Sequence, residues 1–407
     1  MLGMVEELEA GAQRRVEGFL ARIGTVLGNK KRRACFAVYT MGLLGGAERK
    51  SIEPLALQAC TDPALAKAAH DRLLHFISDA TWDDHAVRHE AVEYALGEMT
   101  EQEPVQAWIV DDTGFIKQGM HSVGVQRQYT GSAGKITNCQ VGVSLTLATQ
   151  TMHLPVDFEL YLPESWANDR ARRLEAKIPD EVVFKTKLQL ALDMIRRAVA
   201  DGLPRGLVLF DAAYGDSSEF RAALRRLDLD YGAGVSSKIT VWRLDSLGRR
   251  CGDPVSAHTL ASQQTFRRYT WREGSRKNLS ARFAFERVVP AHDDGIEPAE
   301  REHVWLVSEW RDDEPEPSRF HLTNVSPDLP GKYIINLLKQ RWRTERVYQD
   351  MKGELGLDHF EGRLFRGWHH HVSVALCCYA FVAAERARRF PPEARRARRT
   401  GAIECAA

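Results

Sequence analysis

The chain predicts an α/β fold: a mixed sheet core with a mostly β insertion and an N-terminal helical domain. Three observations predict it. Apolar residues recur at helical spacing through roughly the first hundred positions. Two short apolar runs end in aspartate, WIVDD and GLVLFD, and amphipathic segments alternate with such runs. Residues 238–325 instead break into short aromatic and β-branched runs parted by polar loops.

The helical reading of residues 1–100 rests on VEGFLARIGTVL, CFAVYTMGLL and AVRHEAVEYALGEM, with Gly45-Gly46 and Thr61-Asp62-Pro63 as breaks. TWDDHAVRHE supplies a helix start, with Thr81 and Asp83 as N-cap residues and acids in the first turn. The core, residues 101–237, begins near Val105. VQAWIVDD reads as a strand buried on both faces, because its apolar run is nearly continuous. A glycine-rich segment, Gly114 to Gly134, separates it from strands at 139–149 and 153–163. KTKLQLALDMIRRAVADG (185–202) is an amphipathic helix stopped by glycine. GLVLFD follows as a fourth strand. Asp216 and Glu219 suggest a capping box for a helix to Leu227, and DYGAGV is a fifth strand. This order, β-β-β-α-β-α-β, is that of an RNase H-like core, in which the first and fourth strands lie side by side. The acids ending them, far apart in sequence, are then neighbours.

Residues 238–328 form the β-rich insertion, with strands in ITVWRL, TFRRYTWR, ARFAFERVV, HVWLVSEW and RFHLTN. Residues 329–407 return to helix, from Lys332 to Lys352 and again over 369–389. A length of 407 residues, 44% hydrophobic and 27% charged, suits two or three globular units. The net charge of +1 does not announce a polyanionic partner. Basic residues cluster at Lys30–Arg33 and in the tail from Glu385 to Thr400, where a solvated face and a DNA contact are equally good readings. Dispersed cysteines without CxxC spacing fit a reducing compartment, and Cys377 and Cys378 fit a helix core. No signal peptide and no membrane-length apolar run is present, so a soluble, cytoplasmic protein with no membrane partner is expected.

The chemistry lies in acids. Asp211 and one of the pair Asp111 and Asp112 end strands, and only one of that pair faces a site, because strand side chains alternate. Glu345 rides a helix on a stripe with Arg341, Tyr348 and Lys352. Clustered carboxylates repel one another, and a divalent cation bound through oxygen relieves that repulsion. Two such ions suit in-line displacement at phosphorus. Three consecutive histidines, His369 to His371, cannot all face one ion from a helix and read as a helix start or a polar surface. His85 and His89 are spaced for zinc but lack evident partner ligands, and read as a surface helix face.

The chain resembles bacterial insertion-sequence transposases of the DDE class, in the group with a β-rich insertion and a Tyr-Arg-Glu-Lys signature. The resemblance runs from about Arg49 to Phe381. Its motifs are ERKSIEPLA (48–56), VDDTGFIKQGMHSVGVQRQYTGSAGKITNCQVGVSL (110–145), LYLPESW (160–166), FDAAYG (210–215) and RWRTERVYQDMKGELGLDHFEGR (341–363). It implies catalytic, metal-binding Asp112 (the aspartate before threonine), Asp211 and Glu345. Arg341, Glu345 and Lys352 match the signature, whereas Leu338 stands in place of its tyrosine, and Tyr348 on the same stripe is a substitute. It implies two Mg²⁺ ions, with Mn²⁺ able to replace them. Residues 1–100 become an end-recognition domain. Expected partners are double-stranded DNA (terminal inverted repeats and target) and a second copy in a homodimer on DNA, within a bacterial, nucleoid-associated setting. A tryptophan of the insertion, Trp310 with Trp242, Trp271 and Trp305 as alternatives, is expected to hold a flipped base, the others being core. An inactive DNA-binding derivative and a nuclease without strand transfer are the competing readings.

Overall fold

A computed structural model describes residues 2–60, 62–101, 103–272, 278–291 and 303–390. Five helices come first: α1 (Leu2–Leu27), α2 (Lys30–Leu44), α3 (Ile52–Gln58), α4 (Ala66–Ser78) and α5 (Asp84–Thr100). Strands β1 (Ala107–Ile116), β2 (Gln126–Thr130), β3 (Lys135–Ala148) and β4 (His153–Tyr161) follow. Then come α6 (Glu164–Ala167), α7 (Arg170–Glu175), α8 (Lys187–Ala200), β5 (Leu207–Phe210), α9 (Ala212–Gly215), α10 (Ser218–Arg226) and β6 (Tyr231–Val235). The insertion carries β7 (Thr240–Leu244), β8 (Arg250–Ser256), α11 (Ala257–Ala261), β9 (Arg267–Arg272), β10 (Leu279–Pro290), β11 (Val304–Trp310) and β12 (Arg319–Thr323). Helices α12 (Gly331–Leu338), α13 (Trp342–Leu355) and α14 (Phe365–Arg389) close the described chain. None of its helices is long and apolar enough to cross a membrane.

The chain divides into two compact units, and β1 runs from one into the other after Asp111. One unit holds residues 1–104, 112–194 and 344–407. In it, β4 pairs antiparallel with β3, β3 pairs with β2, and β3 neighbours β1. Helix α14 is buried along nearly its whole length, with Cys377 and Cys378 fully covered. The other unit holds residues 105–111 and 195–343. There β1 pairs parallel with β5, in register Ala107 to Leu207 and Ile109 to Leu209, and β5 pairs parallel with β6. The order β4-β3-β1-β5-β6 is that of the RNase H-like fold read from the sequence. The insertion continues from β6 through β12, β11, β10, β7 and β8, all antiparallel.

Local details differ from the sequence reading. The glycine-rich segment holds a strand, β2, whose first four residues alternate between half-covered and exposed positions before buried Thr130. The insertion gains β8 and α11. Ser217, not Asp216, caps α10, because its hydroxyl reaches Phe220 N, while the Asp216 carboxylate accepts from Ser236 N. At α5 the cap is Asp83, accepting from Ala86 N, and Thr81 lies outside the helix.

Candidate active site

Asp211 stands at the end of β5, whose four residues are all buried. Its side chain accepts from Ala213 N at 3.0 Å, capping the short helix α9. This turn is held tightly against β6. A Cβ on Gly215 would lie 1.8 Å from the carbonyl oxygen of Gly234, so FDAAYG ends in the one residue that fits. The half-buried carboxylate is thereby fixed at the rim of the parallel strands.

β1 presents two adjacent half-buried acids that meet different partners, and it runs on to Ile116, so they lie within the strand and not at its end as the apolar run suggests. Asp111 accepts from Arg341 Nη1 at 2.6 Å. Asp112 accepts from Lys187 Nζ, at the start of α8, at 3.0 Å. The strand's alternation separates the two carboxylates. Lys187 is a neighbour of Asp112 that sequence reasoning misses, because no spacing ties the two together.

Helix α13 carries Glu345, Tyr348 and Lys352 of the predicted stripe, while Arg341 lies just before it in a short 3-10 turn, Lys339–Arg341. Lys352 Nζ donates to Thr113 Oγ1 at 2.9 Å and to Gly114 O at 2.7 Å, so it packs on β1 directly beyond the two acids. Burial lowers the Lys352 pKa, with Asp358 partly opposing it. Tyr348 is buried and shares a 2.6 Å hydrogen bond with Ser144 of β3. Glu345, one turn before Tyr348 on the same face, is exposed. Leu338 is buried in α12.

A family model described as DDE superfamily endonuclease matches residues 22–278, more than half of the sequence. The chain belongs to the DDE superfamily of endonucleases. Among curated proteins it is similar to a probable transposase for insertion sequence element IS701 from Microchaete diplosiphon, 26% identical over 326 residues, covering 80% of this chain and 76% of the relative. Among solved structures it matches a piggyBac transposase synaptic complex with hairpin DNA at 10% identity and a TM-score of 0.47, over 88% of this chain. It spans 66% of that longer chain. The DDE-class resemblance read from the motifs agrees with the family match.

Elsewhere this DDE superfamily protein departs from expectation. None of the four insertion tryptophans is a core residue; all are half-buried, each with a cation over its ring. Arg282 sits 3.8 Å from the Trp310 centroid, Lys339 4.7 Å from Trp271, Arg287 5.2 Å from Trp305 and Arg250 5.6 Å from Trp242. Cation–π pairing at a half-covered surface accounts for indoles that a strand pattern assigns to the core. His369 to His371 are buried rather than a polar surface. Backbone carbonyls receive them: His370 contacts Ile77 O and Trp82 O, and His371 contacts Gly356 O and Leu357 O, with Tyr39 on its other nitrogen.

His85 also has partners that its spacing does not reveal. One ligand atom each from His85, Asp157 and Glu159 lie within 4.8 Å of one another. Arg88, 2% exposed, already supplies the positive charge: it meets Asp84 at 2.9 Å, Asp157 at 3.3 Å and Glu159 at 3.8 Å, and its Nη2 lies 2.7 Å from His85 Nδ1. This constellation is an ion-pair network built around a guanidinium. Of the basic tail, Arg388 is engaged internally with Glu98 and Glu385; residues beyond Phe390 lie outside the described chain.

Proposed function

We propose that the protein is an insertion-sequence transposase, which cuts the ends of its element and joins them to target DNA through Asp112, Asp211 and Glu345. The observation that carries this reading is the parallel pairing of β1, which carries half-buried Asp112, with β5, which half-buried Asp211 directly follows, in a chain of the DDE superfamily. The likeness to the IS701 protein supports transposition over other DNA cleavage.

The donor set is all oxygen: half-buried carboxylates within β1 and just after β5, and an exposed glutamate on α13. Such donors suit a hard divalent cation and do not select zinc. Asp112, Asp211 and Glu345 would hold two Mg²⁺ ions, or Mn²⁺ in their place, which when bound polarise the phosphate and the attacking oxygen. Lys187 balances the charge of Asp112, while Lys352 fixes α13 against Thr113 and Gly114. Arg341 and Lys352 flank Glu345 and orient the scissile phosphate. In the first step water adds through its oxygen to phosphorus, the P–O3′ bond breaks, and the departing 3′-oxygen takes up a proton. In the second, that 3′-hydroxyl attacks another phosphodiester, forming one P–O bond as one breaks. A dimer on paired DNA ends, with residues 1–100 recognising those ends and an insertion tryptophan such as Trp310 holding a flipped base, completes the proposal.

The test uses purified full-length protein and a duplex bearing the inverted repeats that flank its coding region. Cleavage and strand-transfer products are expected in Mg²⁺ or Mn²⁺ and none in excess EDTA. Cleavage without any joined product would reduce the protein to a nuclease, and robust cutting in EDTA would refute the carboxylate–metal assignment.

A further inference from the structure

The β2–β3 ribbon carries a surface that the catalytic reading does not use. Between Asp112 and Asp157 the sequence contains no aspartate or glutamate, although acids number 55 in the whole chain. That acid-free stretch supplies all of β2 and β3. Tyr129 and Ile136 are cross-strand partners in the ribbon, and they are 63% and 61% exposed. Arg127 pairs in register with Asn138 two positions along, so Arg127 shares the face of Tyr129. Lys135 is exposed at the other side of the tip. Neither Arg127 nor Lys135 enters an ion pair with the described residues. Asn138 holds the neighbouring loop through Lys117 O and Gly119 O, which places the 68% exposed Met120 beside the ribbon.

The ribbon is pre-shaped. A Cβ on Gly114 would lie 2.2 Å from Thr130 Oγ1, so the ribbon's end packs on β1 as closely as the backbone allows. Its tip, Gly131-Ser132-Ala133-Gly134, is small, and its turn is closed by Ala133 N and Gly134 N donating to Thr130 O. β2 also ends the sheet order. The exposed aromatic and aliphatic pair, with Arg127 and Lys135 beside it, offers apolar and cationic contacts together.

The geometry points to a DNA-reading ribbon: β2–β3 enters a groove of the duplex, with Tyr129 and Ile136 against the bases and Arg127 and Lys135 on the phosphates. The inference rests on the transposase reading for its partner. Physically, a two-stranded ribbon fits the major groove, the small tip allows close approach, and apolar side chains there meet base edges such as the thymine methyl.

The test is fluorescence anisotropy of the full-length protein with a fluorescein-labelled mixed-sequence DNA duplex across a salt series. Tyr129→Ala with Ile136→Ala should weaken binding at least about fivefold, as expected when apolar contact with the base edges is lost, while Tyr129→Phe keeps wild-type affinity. Arg127→Ala with Lys135→Ala should lower the salt slope by roughly 0.9 for each phosphate left without its cation. Thermal midpoints of all variants are expected to match wild type, since every substituted side chain lies at the ribbon's surface. Wild-type binding with unchanged variants overturns the ribbon's role and leaves the transposase reading intact. A wild-type protein that binds no duplex overturns the transposase reading itself. Altered sedimentation of the Tyr129/Ile136 variant with unaltered DNA affinity would assign the surface to a second copy and overturn the proposal.

Discussion

Lys187 Nζ donates to Asp112 Oδ2 across 3.0 Å, so this aspartate receives its counter-charge from the first residue of α8. Its neighbour Asp111 is served separately by Arg341. The two acids therefore stand in different surroundings. Asp112→Ala is expected to reduce DNA cleavage below detection with thermal stability retained, and Asp111→Ala to leave measurable activity. Single-turnover cleavage of an end duplex measures both. An active Asp112→Ala with a dead Asp111→Ala would reverse the assignment on β1.

Much of this region is legible from residues alone. The β-β-β-α-β order follows from apolar runs and one amphipathic helix, and it leads to β1 beside β5, because strands buried on both faces have few alternative positions. What stays hidden are partnerships across long sequence distances. No local pattern ties Lys187 to Asp112 or Arg88 to Asp157. The cap of α10 is Ser217 rather than Asp216 because the Asp216 carboxylate is taken by the backbone of Ser236, a tertiary contact. β2 escapes a sequence reading because its glycine-rich surroundings signal loop, and because its outward residues are not apolar in alternation.

Thermal stability should fall as pH drops from about 6.5 towards about 4. Burial pushes the pKa of His370 and of His371 down to about 4, the carbonyls that contact them only partly opposing this. Burial likewise takes His321 to about 3, with Lys339 and Arg341 adding to the shift. In the unfolded chain these groups bind protons near pH 6.5, so the unfolded state takes up more protons throughout that window. Their stabilising contribution is complete above it and is lost as pH falls. His369 acts in the opposite sense: burial alone would lower its pKa, but the Glu159 carboxylate raises it. Melting curves across this range check the balance, and a midpoint that does not move, or that rises on acidification, would contradict it.

Arg88 should be a stability residue with no direct part in chemistry. It is 2% exposed, and its guanidinium faces Asp84, Asp157 and Glu159 while also donating to Ser373 at 2.9 Å. Arg88→Met retains much of the volume but leaves three carboxylates without their shared cation. Breaking a buried pair from one side costs about 3–5 kcal/mol. Chemical denaturation should register a loss of that order, and zinc or magnesium should not restore the wild-type value. A variant as stable as wild type would mean that water already screens the network.

Glu345, and not Glu354, is expected to complete the catalytic acids. Both lie on α13, and both are exposed, so burial does not choose between them. Helical phase does. At about 100° per residue, the step from 345 to 354 is roughly 900°, a half turn beyond two full turns, so the two side chains leave opposite faces. Tyr348 and Lys352 fix which face meets the sheet, through Ser144 on β3 and Thr113 on β1. Glu345 shares that face, and Glu354 leaves from the other side. Glu345→Gln keeps size and removes charge, so it should abolish cleavage in Mg²⁺ while leaving the melting midpoint and duplex affinity close to wild type. Glu354→Gln should cut normally. A dead Glu354→Gln beside an active Glu345→Gln would show that the face of α13 defined by Tyr348 and Lys352 is not the catalytic one.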